Sequence, residues 1–169
     1  TNYHVISKSS RDLVNYDQVH RIGHCGIALF WAKNLGNRVR SVKCQSDRIC
    51  AVEILNTYGS KSMLIIGVYL PQQRCKITSF TEHLTELERI LGTHRSSEIC
   101  IIGDFNCHFG LEEGSRFWGK TTANAQKLLR VIESNNLHIA DANSDECSGP
   151  NYTFKVEGVG CSYVDHCIV

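Results

Sequence analysis

The sequence predicts an α/β fold in which helices cover the outside of stacked β-sheets. Its 169 residues, 42% of them hydrophobic, are enough for one globular domain with a buried core. Apolar runs bounded by turn residues dominate the first part of the chain, and two helical patterns follow with a strand between them. Doubly wound folds alternate strands and helices more strictly, so we expect a sandwich and a single domain without an internal boundary.

Five segments are predicted to be strands in the first part of the chain. They are residues 4–7, 27–31, 39–43, 49–55 and 63–69. Turn residues separate most of these runs, at 34–37, 45–48 and 58–61. The run from 63 to 69 is apolar throughout and Pro71 follows it, which predicts a buried strand that ends there.

The spacing of apolar residues then changes to that of helices. One helical face is formed by Ile77, Phe80, Leu84, Leu87, Ile90 and Leu91. Ser79 and Glu82 predict a capping box at the start of this helix, and Gly92 is expected to end it. A second helix is predicted over residues 123–134, and further strands over 98–102, 137–140, 152–156 and 163–169.

Composition excludes several classes of protein. The net charge of +1 excludes a strongly basic nucleic-acid-binding coat, although it permits a local basic groove. No apolar run is long enough for a membrane-spanning helix, and the first residues do not resemble a signal peptide. The nine cysteines include no Cys-x-x-Cys pair, which favours reduced thiols. We therefore expect a nuclear or cytoplasmic protein that is not secreted.

The segment Gly103-Asp104-Phe105-Asn106 is the main candidate for chemistry, and it directly follows an apolar strand. Alternate residues of an extended chain point to the same side, so Asp104 and Asn106 share a face and Phe105 points into the core. The carboxylate can hold or deprotonate a water, and the amide can bind that water or a phosphate oxygen without adding charge. Such a pair suits phosphoester hydrolysis, but the same residue types are also common in ordinary turns.

Two more polar residues occur in apolar strands. Tyr69 can donate a hydrogen bond to a phosphate oxygen, although an interfacial tyrosine at a strand end is the simpler interpretation. Asp165 interrupts an apolar run, which predicts a buried carboxylate whose expected partner is a histidine that it orients. His166 faces the opposite way, so it is expected to be a packed or surface histidine, and His108 an ordinary loop histidine.

Four short motifs occur along the chain. They are Gly-Val-Tyr-Leu-Pro at 67–71, Gly-Asp-Phe-Asn at 103–106, Tyr-Thr-Phe at 152–154 and Ser-Tyr-Val-Asp-His at 162–166. In these motifs and in their order, the chain resembles the endonuclease/exonuclease/phosphatase family over about residues 23–169. The intervening sequence is most similar to the endonuclease domain of non-long-terminal-repeat retrotransposons.

The resemblance implies a four-layer αββα sandwich of two mainly antiparallel sheets and Mg²⁺-dependent phosphodiester hydrolysis, with Mn²⁺ as the alternative ion. Asp104 would position or activate the attacking water and is the one candidate metal ligand in this chain. Asn106 would bind that water or the scissile phosphate, and Tyr69 would contact the phosphate. Thr153 would lie near the DNA backbone, and Asp165 would hold the catalytic histidine. DNA is the implied substrate, and a reverse transcriptase domain is the implied partner on the same parent polypeptide.

The chain also departs from the family pattern. The metal-binding glutamate and its companion asparagine of the family precede the matching region, and its closing Ser-Asp-His motif would follow Val169. Residues 1–169 are therefore expected to form a single partial domain, incomplete at both ends, with little nuclease activity of its own. Two alternatives remain open, a catalytically inactive module that binds nucleic acid or protein, and a phosphatase of phosphoinositides or other small phosphoesters.

Overall fold

The structure, a computed structural model, describes residues 2–9, 26–56, 61–72, 80–158 and 160–169. Within these ranges the strands are β1 (Tyr3–Ser9), β2 (Gly26–Ala32), β3 (Val39–Val42), β4 (Ile49–Ile54), β5 (Met63–Tyr69), β6 (Glu98–Asp104), β7 (Phe154–Val156), β8 (Gly160–Ser162) and β9 (Asp165–Ile168). The helices are α1 (Phe80–Thr93) and α2 (Ala123–Ser134). Short 3-10 segments cover Lys33–Arg38 and Leu111–Glu113.

A five-stranded sheet with the order β3-β4-β5-β6-β9 is the centre of the fold. Its neighbours are antiparallel except for β5 and β6, which are parallel. Parallel neighbours need a long crossover connection, and α1 lies in the connection between these two strands. Two antiparallel pairs complete the topology, β1 with β2 and β7 with β8.

The hydrophobic core lies between the two helices and one face of this sheet, here called the inner face. Alternate residues of the strands contribute to it, because successive side chains point to opposite sides. The inner-face core residues are Ile49, Ala51, Leu64, Ile66, Val68, Ile101 and Ile168, and they pack with Leu84, Leu87, Leu91, Leu128 and Ile132 of the helices. Among the described residues, no helix combines the length and the apolar character that crossing a bilayer requires.

The opposite face of the sheet, the outer face, is covered in part by the β1–β2 pair, which contacts β4 and β5. Gly67 makes this stacking close. A Cβ atom at this position would lie 3.0 Å from Leu29 Cδ2 and 3.1 Å from Ile27 Cδ1, so the missing side chain leaves room for β2. The prediction of an α/β fold with two stacked, mainly antiparallel sheets and helices outside them is confirmed.

The local predictions differ from the structure mainly near the carboxyl end of the chain. The predicted strand at 137–140 is only an isolated bridge between Ile139 and Ile168. The predicted strand at 163–169 begins at Asp165, because residues 160–162 pair with β7 in a hairpin. Gly92 lies inside the last turn of α1 rather than after it. Ser79 of the capping box, Ile77 and most of the turn at 58–61 lie outside the described residues.

Candidate active site

Three of the predicted side chains lie in one row across three neighbouring strands. Tyr69 at the end of β5 pairs with Asp104 at the end of β6, and Asp104 pairs with Asp165 at the start of β9. All three belong to the outer face, because the alternate residues Val68 and His166 are buried on the inner face. The sheet therefore places a phenol and two carboxylates side by side at the carboxyl ends of two parallel strands.

This row forms part of the wall of a cavity of about 750 Å³. Asn106 and Thr153 also line the cavity, so all five residues that the sequence singles out meet in one place. The β7–β8 hairpin contributes Phe154, which is 56% exposed, to the rim. The cavity is an open cleft whose wall combines polar side chains with the apolar side chains of Phe154 and Val164.

Gly103 allows β6 to approach β5 directly before the row. Its φ of 138° is one that L side chains rarely adopt, and a Cβ atom there would lie 2.0 Å from the carbonyl oxygen of Val68. The Leu70 N–H then donates to the Asp104 carbonyl oxygen at 2.8 Å, so the parallel pairing continues to the end of β6. The glycine of the motif is therefore needed for the position of Asp104.

Asn106 holds the turn that follows Asp104. Its backbone N–H donates to Asp104 Oδ1 at 2.8 Å, and its side-chain Nδ2 donates to the carbonyl oxygen of Leu70 at 2.8 Å. Its φ of 48° is left-handed, a conformation that asparagine tolerates better than most residues. The segment forms a turn, and it also places polar groups on the cavity wall, while the hydrolytic role of the motif stays a prediction. Phe105 is fully buried, as predicted.

The carboxyl group of Asp104 is electrostatically perturbed. Burial raises its pKa above the ordinary value, and the negative charge of Asp165 raises it further, while hydrogen bonds from Asn106 act in the opposite direction. Like charges directly opposite each other on paired strands destabilise a sheet. Such an arrangement persists where a ligand, a proton or a cation relieves the repulsion, and it is typical of functional sites.

Asp165 is exposed, and the prediction that it is buried is wrong. The apolar run around it belongs to a strand whose outer face opens into the cavity at this residue, so the carboxylate reaches solvent. Among the hydrogen bonds of the described residues, none joins its carboxylate to a histidine, and its backbone N–H donates to Thr153 Oγ1 at 3.2 Å. Its role as the partner of a catalytic histidine remains a prediction.

Thr153 connects the β7–β8 hairpin to the row. Its hydroxyl oxygen accepts hydrogen bonds from the backbone N–H groups of Val164 at 3.1 Å and of Asp165 at 3.2 Å. Its own N–H donates to the carbonyl oxygen of Ser162 at 2.9 Å. The threonine thus holds the start of β9, and with it Asp165, against the hairpin at the edge of the cavity.

Arg48 supports Tyr69, a contact that the sequence analysis does not identify. The guanidinium carbon lies 5.3 Å from the centre of the Tyr69 ring, and Nη1 donates to the Tyr69 carbonyl oxygen at 3.2 Å. The Tyr69 N–H donates in turn to the Arg48 carbonyl oxygen at 3.0 Å. The buried guanidinium over the ring helps to fix the orientation of Tyr69.

His166 is a packed histidine, as predicted, but its partner is a residue that the sequence analysis does not identify. Its Nδ1 lies 3.0 Å from Asp141 Oδ2, and because an ionised carboxylate only accepts, Nδ1 carries the proton. The ring is enclosed by aromatic neighbours, which are Phe105, Phe109, Phe117 and Tyr163. Asp141 also accepts the Cys167 N–H at 2.8 Å. This pair belongs to the inner face and has no contact with the cavity.

The carboxylates of Asp104 and Asp165 are the groups that suit a divalent metal ion. They fit Mg²⁺ in kind, because this ion takes one or two carboxylates and completes its shell with water and substrate phosphates. In the part of the chain that the structure describes, no three side chains of His, Cys, Asp or Glu converge on one point. The two aspartates would therefore supply part of the coordination of Mg²⁺.

Solved structures with the same fold have been determined for several nucleic-acid enzymes. The endonuclease domain of TRAS1, a telomere-specific non-LTR retrotransposon, aligns with 99% of this chain and 65% of its own, at a TM-score of 0.64 and 15% identity. The 3′ phosphatase NExo from Neisseria, solved with a product DNA hairpin, aligns with 99% of this chain and 66% of its own, at a TM-score of 0.60 and 13% identity. An AP endonuclease from Archaeoglobus fulgidus aligns with 99% of this chain and 66% of its own, at a TM-score of 0.55 and 14% identity.

The chain thus spans less than two thirds of the length of these three structures. A comparison with curated protein sequences finds no match. A family model described as Endonuclease-reverse transcriptase matches residues 63–169, which is more than half of the chain and includes the Tyr69–Asp104–Asp165 row. The chain therefore belongs to the endonuclease-reverse transcriptase family, whose members are hydrolytic enzymes with the endonuclease/exonuclease/phosphatase fold.

Proposed function

We propose that this sequence provides the phosphodiester-cleaving centre of a Mg²⁺-dependent endonuclease that nicks DNA for a retroelement. The row of Tyr69, Asp104 and Asp165 in one open cavity is the observation that carries the proposal. Family membership and similarity to a retrotransposon endonuclease domain support it. The nick would leave a 3′-hydroxyl that primes synthesis by a reverse transcriptase domain on the same parent polypeptide, in the nucleus or cytoplasm.

The roles of the residues follow from their chemistry. Asp104 has a raised pKa and is therefore a better base than an ordinary carboxylate, which suits it to take a proton from the attacking water. Asn106 keeps Asp104 in place, and the Tyr69 phenol can donate to a phosphate oxygen. Water attacks the phosphorus in line while its proton passes to Asp104, the bond to the 3′-oxygen breaks, and that oxygen takes a proton from solvent. Mg²⁺, when bound, supplies stabilisation of the charge that develops on the phosphate oxygens.

Plasmid nicking tests this proposal. Because the chain spans less than two thirds of the length of the similar structures, the assay uses the polypeptide that carries this sequence together with its neighbouring segments. We expect Mg²⁺-dependent conversion of supercoiled to open-circular plasmid, reduced at least about 10²-fold by Asp104→Asn because the base is lost. Asp145→Asn is the matched control, since Asp145 is exposed and lies outside the cavity. The 169-residue chain alone should nick little.

Other outcomes would contradict the proposal in recognisable ways. If Asp104→Asn nicks DNA as fast as the wild type, the row of Tyr69, Asp104 and Asp165 does not take part in cleavage. Phosphate release from inositol phosphates, with DNA left intact, would indicate a phosphatase of small phosphoesters. Salt-dependent DNA binding by the longer polypeptide without nicking would indicate a binding module.

A further inference from the structure

Arg116 is a charged side chain that lies inside the protein and is not part of the cavity wall. The residue is 4% exposed. Its backbone N–H donates to the Ala142 carbonyl oxygen at 3.0 Å, and the next residue, Phe117, is buried in the core. Within the ranges that the structure describes, no carboxylate forms a salt bridge with its guanidinium. Burying a cation without a counter-ion costs free energy, so the contacts that it makes instead are informative.

The guanidinium binds the chain just before the β7–β8 hairpin. Nη1 donates to the carbonyl oxygen of Cys147, and Nη2 donates to that of Pro150 at 2.9 Å. Gly149 lies between these two carbonyl groups, and its φ of 120° lets the chain turn around the cation in a conformation that L side chains rarely adopt. A guanidinium presents its donors in a rigid fork, so it can hold both carbonyl groups at once.

The same side chain also contacts the chain just after the hairpin. The guanidinium carbon lies 5.3 Å from the centre of the Tyr163 ring, and Tyr163 directly follows β8. The next two residues along the chain are those whose N–H groups donate to the Thr153 hydroxyl. Arg116 thus touches both ends of the segment 150–163, which contains the hairpin.

The hairpin is too small to hold its position by itself. Each of its strands has three residues, and all three residues of β7 are exposed. An isolated two-stranded hairpin is at best marginally stable in water. Nevertheless, the segment supplies Thr153 and Phe154 to the cavity wall. The contacts at the base of the hairpin therefore determine where this part of the wall lies.

We propose that Arg116 is a positioning residue, which fixes the β7–β8 hairpin and thereby the Thr153 side of the cavity for the phosphodiester substrate. The inference rests on the proposed function, because it takes the cavity as the place where the substrate binds. The base Asp104 does not depend on this contact, since the Asn106 N–H holds its carboxylate. Loss of Arg116 should therefore weaken substrate binding more than it slows the chemical step.

The variant Arg116→Met removes the fork of donors and keeps most of the length of the side chain. Replacing buried charged groups by apolar residues of similar volume often leaves stability unchanged or raises it, so the core should persist. Arg116→Lys keeps the charge, but an ammonium group lacks the planar fork that reaches both carbonyl groups, and this variant serves if Arg116→Met does not fold. Arg130→Met is the matched control, because Arg130 is exposed on α2 and lies outside the cavity.

Amide hydrogen exchange of the 169-residue chain, followed by NMR, tests the positioning role without any activity. The N–H groups of Val164 and Asp165 report on the hairpin because both donate to Thr153. We expect Arg116→Met to raise their exchange rates at least about tenfold more than those in β5, as for the loss of a hydrogen bond to a charged group. Arg116→Lys should give an intermediate increase, and Arg130→Met should change these rates less than about twofold.

The kinetics of plasmid nicking test the link to the substrate, and they use the polypeptide that carries this sequence together with its neighbouring segments. We expect Arg116→Met to raise KM about tenfold, because the Thr153 contact is lost when the hairpin moves and one such bond is worth about this factor. The value of kcat should fall less than about twofold, because Asp104 stays in place. Arg130→Met should change both constants less than about twofold.

The results that overturn this inference are distinct from those that overturn the proposed function. If Arg116→Met raises exchange equally in β5 and at Val164 and Asp165, Arg116 only stabilises the fold and the inference is wrong. It is also wrong if KM is unchanged while the wild type is active, and the proposed function is then unaffected. If the wild type does not nick DNA, the proposed function and the link to the substrate both fail, whereas the exchange rates still decide whether Arg116 holds the hairpin.

Discussion

Strand β9 contributes one residue to a pair of titratable side chains on each of its faces, and the two pairs have opposite character. On the outer face, Asp165 lies opposite Asp104, two like charges that open into the cavity. On the inner face, His166 pairs with Asp141 inside a cage of aromatic rings. The first pair places two like charges together, whereas in the second pair His166 Nδ1 is bonded to Asp141, and Nε2 of the same ring is buried without a hydrogen-bond partner among the described residues. Neighbouring residues of one strand can thus serve binding and folding separately, because the strand sends them to opposite sides.

Of the substitutions that test this comparison, removal of the Asp141 side chain should change the stability of the fold most. Asp141→Ala leaves the buried His166 ring and the Cys167 N–H without their acceptor, and breaking a buried pair costs about 3–5 kcal/mol. We expect the free energy of unfolding in urea to fall by about that amount. Asp165→Ala is the control and should lower it by no more than about 0.5 kcal/mol, as for an exposed residue. Equal losses from the two variants would remove the contrast between the faces.

The two pairs should also give stability opposite dependences on pH. Burial disfavours ionisation of Asp141, but hydrogen bonds from His166 and Cys167 outweigh it, so its pKa lies below the ordinary 3.8. Its contribution is present above pH 3.8 and lost as the pH falls through the folded pKa. The pKa of Asp104 is raised, so its contribution is present below pH 3.8 and lost as the pH rises through the folded pKa.

Urea unfolding across this pH range measures both effects. Relative to the wild type, Asp104→Asn should gain stability as the pH rises from 3 to about 6, because the variant has no carboxylate to ionise. Asp141→Asn should instead lose the sensitivity of the wild type to acid below pH 3.8. The same slope for the wild type and Asp104→Asn would show that the Asp104 carboxyl group is not perturbed.

Of these substitutions, neutralising Asp165 should change the stability least, and its main effect should be on the neighbouring carboxyl group of Asp104. Asp165→Asn removes a like charge opposite Asp104, and such pairs cost about 0.2–1 kcal/mol, so stability at neutral pH should rise within that range. The pKa of Asp104 should fall, although burial should keep it above the ordinary value. Carboxyl ¹³C NMR with Asp104 assigned through Asp104→Asn measures this. An unchanged Asp104 pKa would mean that the two carboxylates are not coupled.

Features that depend on local spacing could be predicted closely from the sequence. The helix expected over 123–134 coincides with α2, since its apolar spacing and length are properties of one segment. The motif at 103–106 likewise indicates a turn with polar groups at the end of a strand. Features that depend on pairing between distant segments could not be predicted. The row needs the register of β5, β6 and β9, and Asp141 meets His166 across 25 positions.

Exposure was harder to predict than secondary structure for the same reason. Asp165 lies in an apolar run, yet it is exposed because the cavity opens beside it. For Arg48, the only local signal is a charged residue directly before a buried strand, which is equally typical of a solvated turn.

Two backbone N–H groups donate hydrogen bonds to the Thr153 hydroxyl, and this leaves the hydroxyl able to act only as a donor. A hydroxyl has one proton to donate and two lone pairs, and Val164 and Asp165 already occupy both lone pairs. At the cavity edge the hydroxyl can therefore donate a hydrogen bond but cannot accept another one. The hydroxyl therefore favours a ligand group that accepts hydrogen bonds over one that only donates them. Under the proposed function, this O–H would donate to an oxygen of the phosphodiester backbone without adding a charge at the cavity edge.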